Sequence, residues 1–153
     1  MCIYICMKLL IQRVKNASVS VDNTVVGQIK QGLCVFVGIA ANDDEATLQK
    51  MADKMIQLRI FEDENHKMNL SLMDIHGEAL LISQFTLLAD CSKGRRPAFI
   101  GAGDPQQAKN LYEKFCQIVR DKGIPVQTGI FAADMLVHIE NDGPCTFWLD
   151  SEK

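Results

Sequence analysis

The sequence contains no Gly-x-Ser-x-Gly elbow, no Walker loop, no His-Glu-x-x-His helix and no dinucleotide fingerprint. The commonest routes to serine hydrolysis, nucleotide binding, zinc proteolysis and nicotinamide chemistry are therefore closed. Gly101 and Gly103 are too sparse a pair to cradle a phosphate. No Cys-x-x-Cys pair occurs among the six cysteines, and several of them fall inside apolar strand or helix patterns. They read as small buried hydrophobes in a reducing compartment, implying neither a disulfide framework nor a zinc site. His66, His76 and His138 are scattered, with no cysteine or carboxylate at ligand spacing, so no metal and no cofactor is expected. The apolar stretch Met1–Met7 is too short to span a bilayer and lacks the basic start and cleavage site of a secretory signal. It reads as a short lead-in, with residues 1–6 an N-terminal extension and Met7 opening the first strand. A cytoplasmic protein is expected. Excess positive charge is lacking too: the net charge of −3 offers duplex nucleic acid no basic face, so any such contact must be local.

What is present is ordinary for a globular chain. The 153 residues, 48% hydrophobic and 23% charged, suit one domain spanning 1–153, with no repeat, linker or low-complexity tract. Lys8–Val14 predicts a first strand. Ala17–Val21 and Val25–Ile29 predict a hairpin about Asp22-Asn23-Thr24, and the nearly all-apolar Gly32–Ile39 predicts a central strand. Asn42 is placed as an N-cap with Glu45 at the capping-box position, ahead of a stripe of Leu48, Met51, Met55 and Leu58. Phe61–Asn69 is charged and mixed. A second helix starts at Asp104-Pro105, buries Ala108, Leu111, Tyr112, Phe115, Ile118 and Val119, and ends near Gly123. Strands over Pro125–Gly129, Asp134–Glu140 and Cys145–Leu149 follow, the last two separated by the turn residues Asn141-Asp142-Gly143-Pro144. Hairpins outnumber crossovers, so the fold class is α+β (α/β in some schemes): a mixed, mainly antiparallel curved sheet with two helices packed on it.

The chain is organised around Glu78–Asp90, read as one long strand that is apolar on both faces at each end. Ser83, Gln84 and Thr86 interrupt it. Burying an amide or hydroxyl without a partner costs about 1–3 kcal/mol, so internal hydrogen bonds, an early strand end or a ligand must compensate. A strand running out toward Ala89 could also present backbone N–H groups that hold a developing oxyanion without a side-chain base. Gly143-Pro144 is the second local feature: either a plain turn, or a rigid bend projecting carbonyls as a steric gauge. A trio of Ser83, His138 and Asp134 can be drawn as a triad, but any chain of this size offers one by chance. Lys93, Arg95 and Arg96 are either phosphate contacts or a solvated loop.

Gln12-Arg13-Val14, Leu58-Arg59-Ile60-Phe61, Lys67-Met68-Asn69, Ser83-Gln84-Phe85-Thr86-Leu87, Lys93-Gly94-Arg95-Arg96-Pro97 and Asn141-Asp142-Gly143-Pro144-Cys145-Thr146 together resemble the D-aminoacyl-tRNA deacylase family, from about Met7 to Ser151. The resemblance implies an intertwined homodimer with active sites at its interface, each joining the Ser83–Thr86 strand of one subunit to the Gly143-Pro144 turn of the other, with that Gly-Pro bond cis. It implies hydrolysis of the ester joining a D-amino acid, or glycine mischarged on tRNA-Ala, to the 3′-terminal adenosine of tRNA. This is proofreading in translation. It implies that Gly143 and Pro144 carbonyls occupy the space an L side chain needs, that Arg13 buttresses the turn, and that Met135 helps form the pocket. Phe85 and Thr86 amides would supply the oxyanion hole and the ribose 2′-OH would help activate water, with Thr86 as a covalent nucleophile the competing scheme. No base in the sequence is evidently placed to activate Thr86. One departure stands out: Ala132 occupies a position where the family usually has glycine, which bears on pocket shape near Met135. A non-catalytic nucleic-acid-binding protein on the same scaffold is the alternative.

Overall fold

The structure is a computed structural model that describes residues 6–40, 42–100 and 103–153. Cys2, the rest of the lead-in through residue 5, and Gly101 lie outside the described residues. Strand β1 (Lys8–Val21) runs through the middle of the sheet. Leu9, Ile11 and Arg13 are buried at alternate positions; Val14 faces the other core, and Ala17 and Val19 join it there although the first of them lies an odd number of residues further on. The expected break into two strands is therefore absent. Pairing irregularities around Val14 turn the side chains over without ending the strand.

This slip lets β1 serve two cores. Leu9 and Ile11 join Leu33, Leu81, Met55 and Phe115 beneath the helices, while Val14, Ala17 and Val19 join Ile29, Leu80 and Ile82 on the other side. The hairpin to β2 (Thr24–Ile29) turns on Asp22 and Asn23, both at positive φ (50° and 64°), a conformation these short polar residues tolerate. Strand β3 (Gly32–Gly38) lies antiparallel to the first half of β1. The hairpin of β4 (Phe61–Glu62) and β5 (Met68–Leu70) forms where the sequence looked only charged and mixed.

β6 (Glu78–Ser83) runs parallel to β3, and β7 (Val126–Thr128) runs parallel to β6. β8 (Leu136–Asp150) pairs antiparallel along the free side of β1. It is one strand, where two strands and a turn were expected; the turn residues form a bulge inside it. Contacts between β2 and β7 curl the sheet. The result is the α+β architecture expected, a mixed, curved sheet with two helices on one face.

Helix α1 (Glu45–Gln57) buries Leu48, Met51, Ala52, Met55 and Ile56. Its N-cap is Asp44, whose carboxylate accepts from the Thr47 amide at 2.9 Å, and not the expected Asn42. The shift follows from Asp43, which is drawn into the preceding turn by the amides of Ala40 (2.6 Å) and Met7 (3.3 Å). Helix α2 (Pro105–Asp121) starts as predicted, with the Asp104 carboxylate accepting from the Gln107 amide, and buries Tyr112, Phe115, Cys116, Ile118 and Val119. The chain leaves α2 through Gly123 at φ 92°. The five described cysteines are free; burial pushes the Cys34 thiol up to about 12 and Cys116 up to about 11, so both behave as small hydrophobes.

At its other end the β1–β8 ribbon is clasped by charge. Lys8 Nζ lies 3.0 Å from Asp150 Oδ2, and the Cys6 thiol donates to Asp150 Oδ1 at 2.8 Å. Burial pushes the Asp150 carboxyl up, but these donors, together with the Glu152 amide, outweigh it and hold the group down at about 2.

Candidate active site

Strand β6 is paired on both sides only as far as its neighbours reach. β7 ends opposite Leu81, and the last pair with β3 is Val37 with Ser83, followed by a hydrogen bond from the Gln84 amide to the Val37 carbonyl at 2.8 Å. Beyond that the chain has no strand to lie against. The long strand expected to Asp90 therefore stops at Ser83, and Phe85–Leu88 wind into a 3₁₀ turn. Gly38 makes this possible: a Cβ there would stand 3.1 Å from Leu87 Cβ, where the turn folds back over the end of β3. Leu88 is buried and anchors the turn.

The polar run thus escapes the desolvation that a buried strand would impose. Ser83 and Gln84 are half-buried, Phe85 and Thr86 exposed, and Gln84 Nε2 donates to Thr86 Oγ1 at 2.5 Å. Among the described residues no protein group accepts from the Phe85 or Thr86 amide, as expected for the first N–H groups of a helical turn. Two main-chain donors of exposed residues are thus left without a partner among the described residues.

These residues rim a cavity of about 600 Å³ that opens beside the second core. Ser83, Gln84 and Phe85 line one wall; Phe99, Phe131 and Met135 line the others. Phe85 and Phe99 pack with ring centroids 5.0 Å apart. Phe99 and Phe131 were missed in the sequence, because an isolated aromatic in a loop carries no periodicity. Ala132 also lines the cavity, at φ 65°. The departure from glycine noted above therefore sits in a left-handed conformation that a β-carbon disfavours. His138 does not line the cavity although Ser83 and Asp134 do, so the triad drawn from the sequence is not assembled. Thr86 lies at the rim, outside the lining. No group of three or more His, Cys, Asp or Glu among the described residues is arranged to hold a metal.

Gly143 and Pro144 lie elsewhere. On β8, Thr146 pairs with Gln12 and Asn141 with Val14, so Asp142, Gly143, Pro144 and Cys145 together oppose the single residue Arg13. The Gly143-Pro144 peptide is cis, and Gly143 has φ 131°, a region favouring glycine. Both residues are exposed. Arg13 is 5% exposed and spans the bulge from below. Its Nε donates to the Asp142 carbonyl at 3.2 Å and lies 3.6 Å from the Asp142 carboxylate; its Nη1 donates to the Ile60 carbonyl at 2.7 Å. Asn141, read in the sequence only as turn chemistry, closes the bulge by donating to the carbonyls of Arg13 (3.0 Å) and Cys145 (3.1 Å). The structure therefore brings together Ser83, Gln84, Phe85 and Met135 in one place and Arg13, Gly143 and Pro144 in another. Lys93, Arg95 and Arg96 are exposed on a loop pinched by the mutual backbone bonds of Asp90 and Ala98, and do not line the cavity.

Comparison with known proteins bears on this arrangement. A family model described as D-Tyr-tRNA(Tyr) deacylase matches residues 10–150. A D-aminoacyl-tRNA deacylase of Clostridioides difficile (strain 630) is 54% identical over 147 residues, 96% of this chain and 99% of that protein. One from Fervidobacterium nodosum is 52% identical over the same shares. A solved structure described as c-Myc DNA Unwinding Element Binding Protein superposes with a TM-score of 0.89 at 40% identity, over 94% of this chain and 97% of that one.

Proposed function

This chain belongs to the D-Tyr-tRNA(Tyr) deacylase family, and from that premise we propose how its two separated sites carry out the reaction. The protein is a hydrolase that deacylates D-aminoacyl-tRNA, releasing the D-amino acid and free tRNA. In our reading the terminal adenosine of the tRNA enters the aromatic-lined cavity, with its base against Phe131 and Met135. The ester carbonyl lies over the end of β6, where the Phe85 and Thr86 amides stabilise the oxyanion formed as water adds. Ser83 and Gln84 orient the substrate's polar groups, and the ribose 2′-OH assists the attacking water. The observation carrying this scheme is the pair of unengaged amides beside a cavity that has no histidine in its lining. A preorganised main-chain donor pair needs no base, whereas Thr86 as nucleophile needs one, and among the described residues its hydroxyl is engaged by the Gln84 carboxamide, which is not a base.

The chiral filter is assigned to a second copy. Gly143 and Pro144 project from the sheet outside their own chain's cavity, so they act on a substrate only where another molecule presents them. In the homodimer we propose, this bulge covers the partner's cavity, its carbonyls occupying the volume an L side chain requires; D side chains point away and glycine has none, so glycine on tRNA-Ala is accepted. Arg13 holds the bulge in position. The whole chain acts as one domain, in the cytoplasm, where its substrate is made and where free thiols persist.

The test is direct. Purified protein is incubated with D-Tyr-tRNA and L-Tyr-tRNA, and free amino acid is followed. Selective release of D-tyrosine is expected; equal release, or none at micromolar enzyme, would falsify the scheme. The second outcome would favour a non-catalytic nucleic-acid-binding role, the reading suggested by the name of the 40%-identical structure.

A further inference from the structure

A second cavity, of about 320 Å³, adjoins the first. Phe131 lines both. So does α2: its first turns give Pro105 and Ala108 to the first cavity, and the next residue, Lys109, opens a stripe of Glu113, Cys116 and Arg120 along the second. The rest of the wall is Thr128–Ile130.

The charges on this stripe are set apart from the others of the helix. Lys114 pairs with Glu45 at 2.9 Å, and Lys122, just past the helix, pairs with Asp53 at 2.6 Å, both carboxylates belonging to α1. Among the described residues Lys109 and Arg120 form no ion pair, and both are exposed. Two cations of the helix are consumed in holding the helices together; two are left facing the groove.

We propose that this groove binds the sugar-phosphate strand leading to the 3′-terminal adenosine, with Lys109 and Arg120 meeting its phosphates. The proposal rests on the deacylase reading above. Lys109, at the junction of the cavities, takes the phosphate nearest the terminal nucleoside. Arg120, eleven residues on and so about 16 Å along the helix axis, takes one further upstream. Glu113 lies between them and is suited to a base amino group, which a phosphate would not reach without repulsion. An overall acidic chain can thereby hold a polyanion, because only a single-stranded end is gripped and the cations it needs are local.

The experiment compares two esters of one D-amino acid: full-length D-aminoacyl-tRNA and 2′(3′)-D-aminoacyl-adenosine, which has no phosphate. The wild type is expected to show a lower KM for the tRNA. In K109A/R120A that advantage should shrink by roughly tenfold, and the slope of log affinity for tRNA against log salt should flatten by about 1.4, at about 0.7 per phosphate contact on a single strand. K114A/K122A, which removes as much charge from α2 and the residue that caps it, should keep the tRNA advantage. If K109A/R120A keeps it as well, or if both pairs lose it equally, the groove assignment is overturned. Failure of the wild type to hydrolyse either ester would instead overturn the deacylase reading beneath it.

Discussion

The end of β6 and the bulge in β8 are both departures from regular sheet, and they are held in opposite ways. At β6 the strand outruns its neighbours, and the turn that follows leaves two amides without partners inside the protein. At the bulge a buried guanidinium grips two carbonyls and a carboxylate, while a carboxamide grips two more carbonyls. The first region is left open, with donors unsatisfied. The second is closed and held in place. On the function proposed above, one region must receive a substrate atom and the other must refuse one, and these contrasting supports suit the two tasks.

The contrast can be broken most sharply at Phe85. The preceding Gln84 has φ −143° and ψ 83°, a conformation compatible with a following proline, and the first position of a helical turn tolerates one. Phe85→Pro removes the amide, Phe85→Ala only the ring. We expect the proline variant to fall below the alanine variant by about 10²–10³ in kcat, the usual cost of losing one oxyanion donor. Equal rates would show that this amide does not touch the transition state.

At the bulge, Arg13→Ala strips donors from the buried carbonyls of Asp142 and Ile60 and should cost about 3 kcal/mol of stability, read from urea unfolding. It should also narrow the preference for D over L substrate. A loss below about 1 kcal/mol would mean the bulge supports itself. Thr86→Ala sharpens the comparison from the other side: kcat/KM should stay within about tenfold of wild type if the open region works through its backbone, whereas a loss on the order of 10⁴-fold or more would make Thr86 the nucleophile. The smallest effect is expected at Ala132→Gly, where relief of the left-handed β-carbon should raise stability by about 0.5–1 kcal/mol in thermal unfolding. A decrease there would show that the methyl's packing outweighs its backbone cost.

The sequence was most legible where periodicity governs. Both helices, the central strands and the α+β class follow from apolar spacing, and Asp104-Pro105 marks a helix start that the structure has. It was least legible where tertiary pairing decides. Nothing local to Ser83 says that β3 and β7 stop beside it, so Glu78–Asp90 looked like a single strand; nothing local to Asn141–Pro144 says that β1 continues beneath it, so a bulge looked like a turn. Asn42 lost the helix cap to Asp44 because the neighbouring Asp43 is pulled toward Met7, a residue far away in the chain. At the site, Ser83–Phe85 and Met135, paired only through the family resemblance, do line one cavity, yet its aromatic walls at Phe99 and Phe131 come from loops that no pattern distinguishes.

The grip of Arg13 on the bulge has a consequence for biosynthesis. The contacts that shape it join residues 129 and 128 positions apart, from the first strand to the last. β6, by contrast, pairs with β3 and β7 and not with the last strand. The contacts that fix the bulge therefore form only once the last strand has met the first, and pairings of such long sequence separation are the slow ones to form. Any chain released short of its final strand would leave one side of β1 unpaired and the buried Arg13 guanidinium without the Asp142 carbonyl it grips.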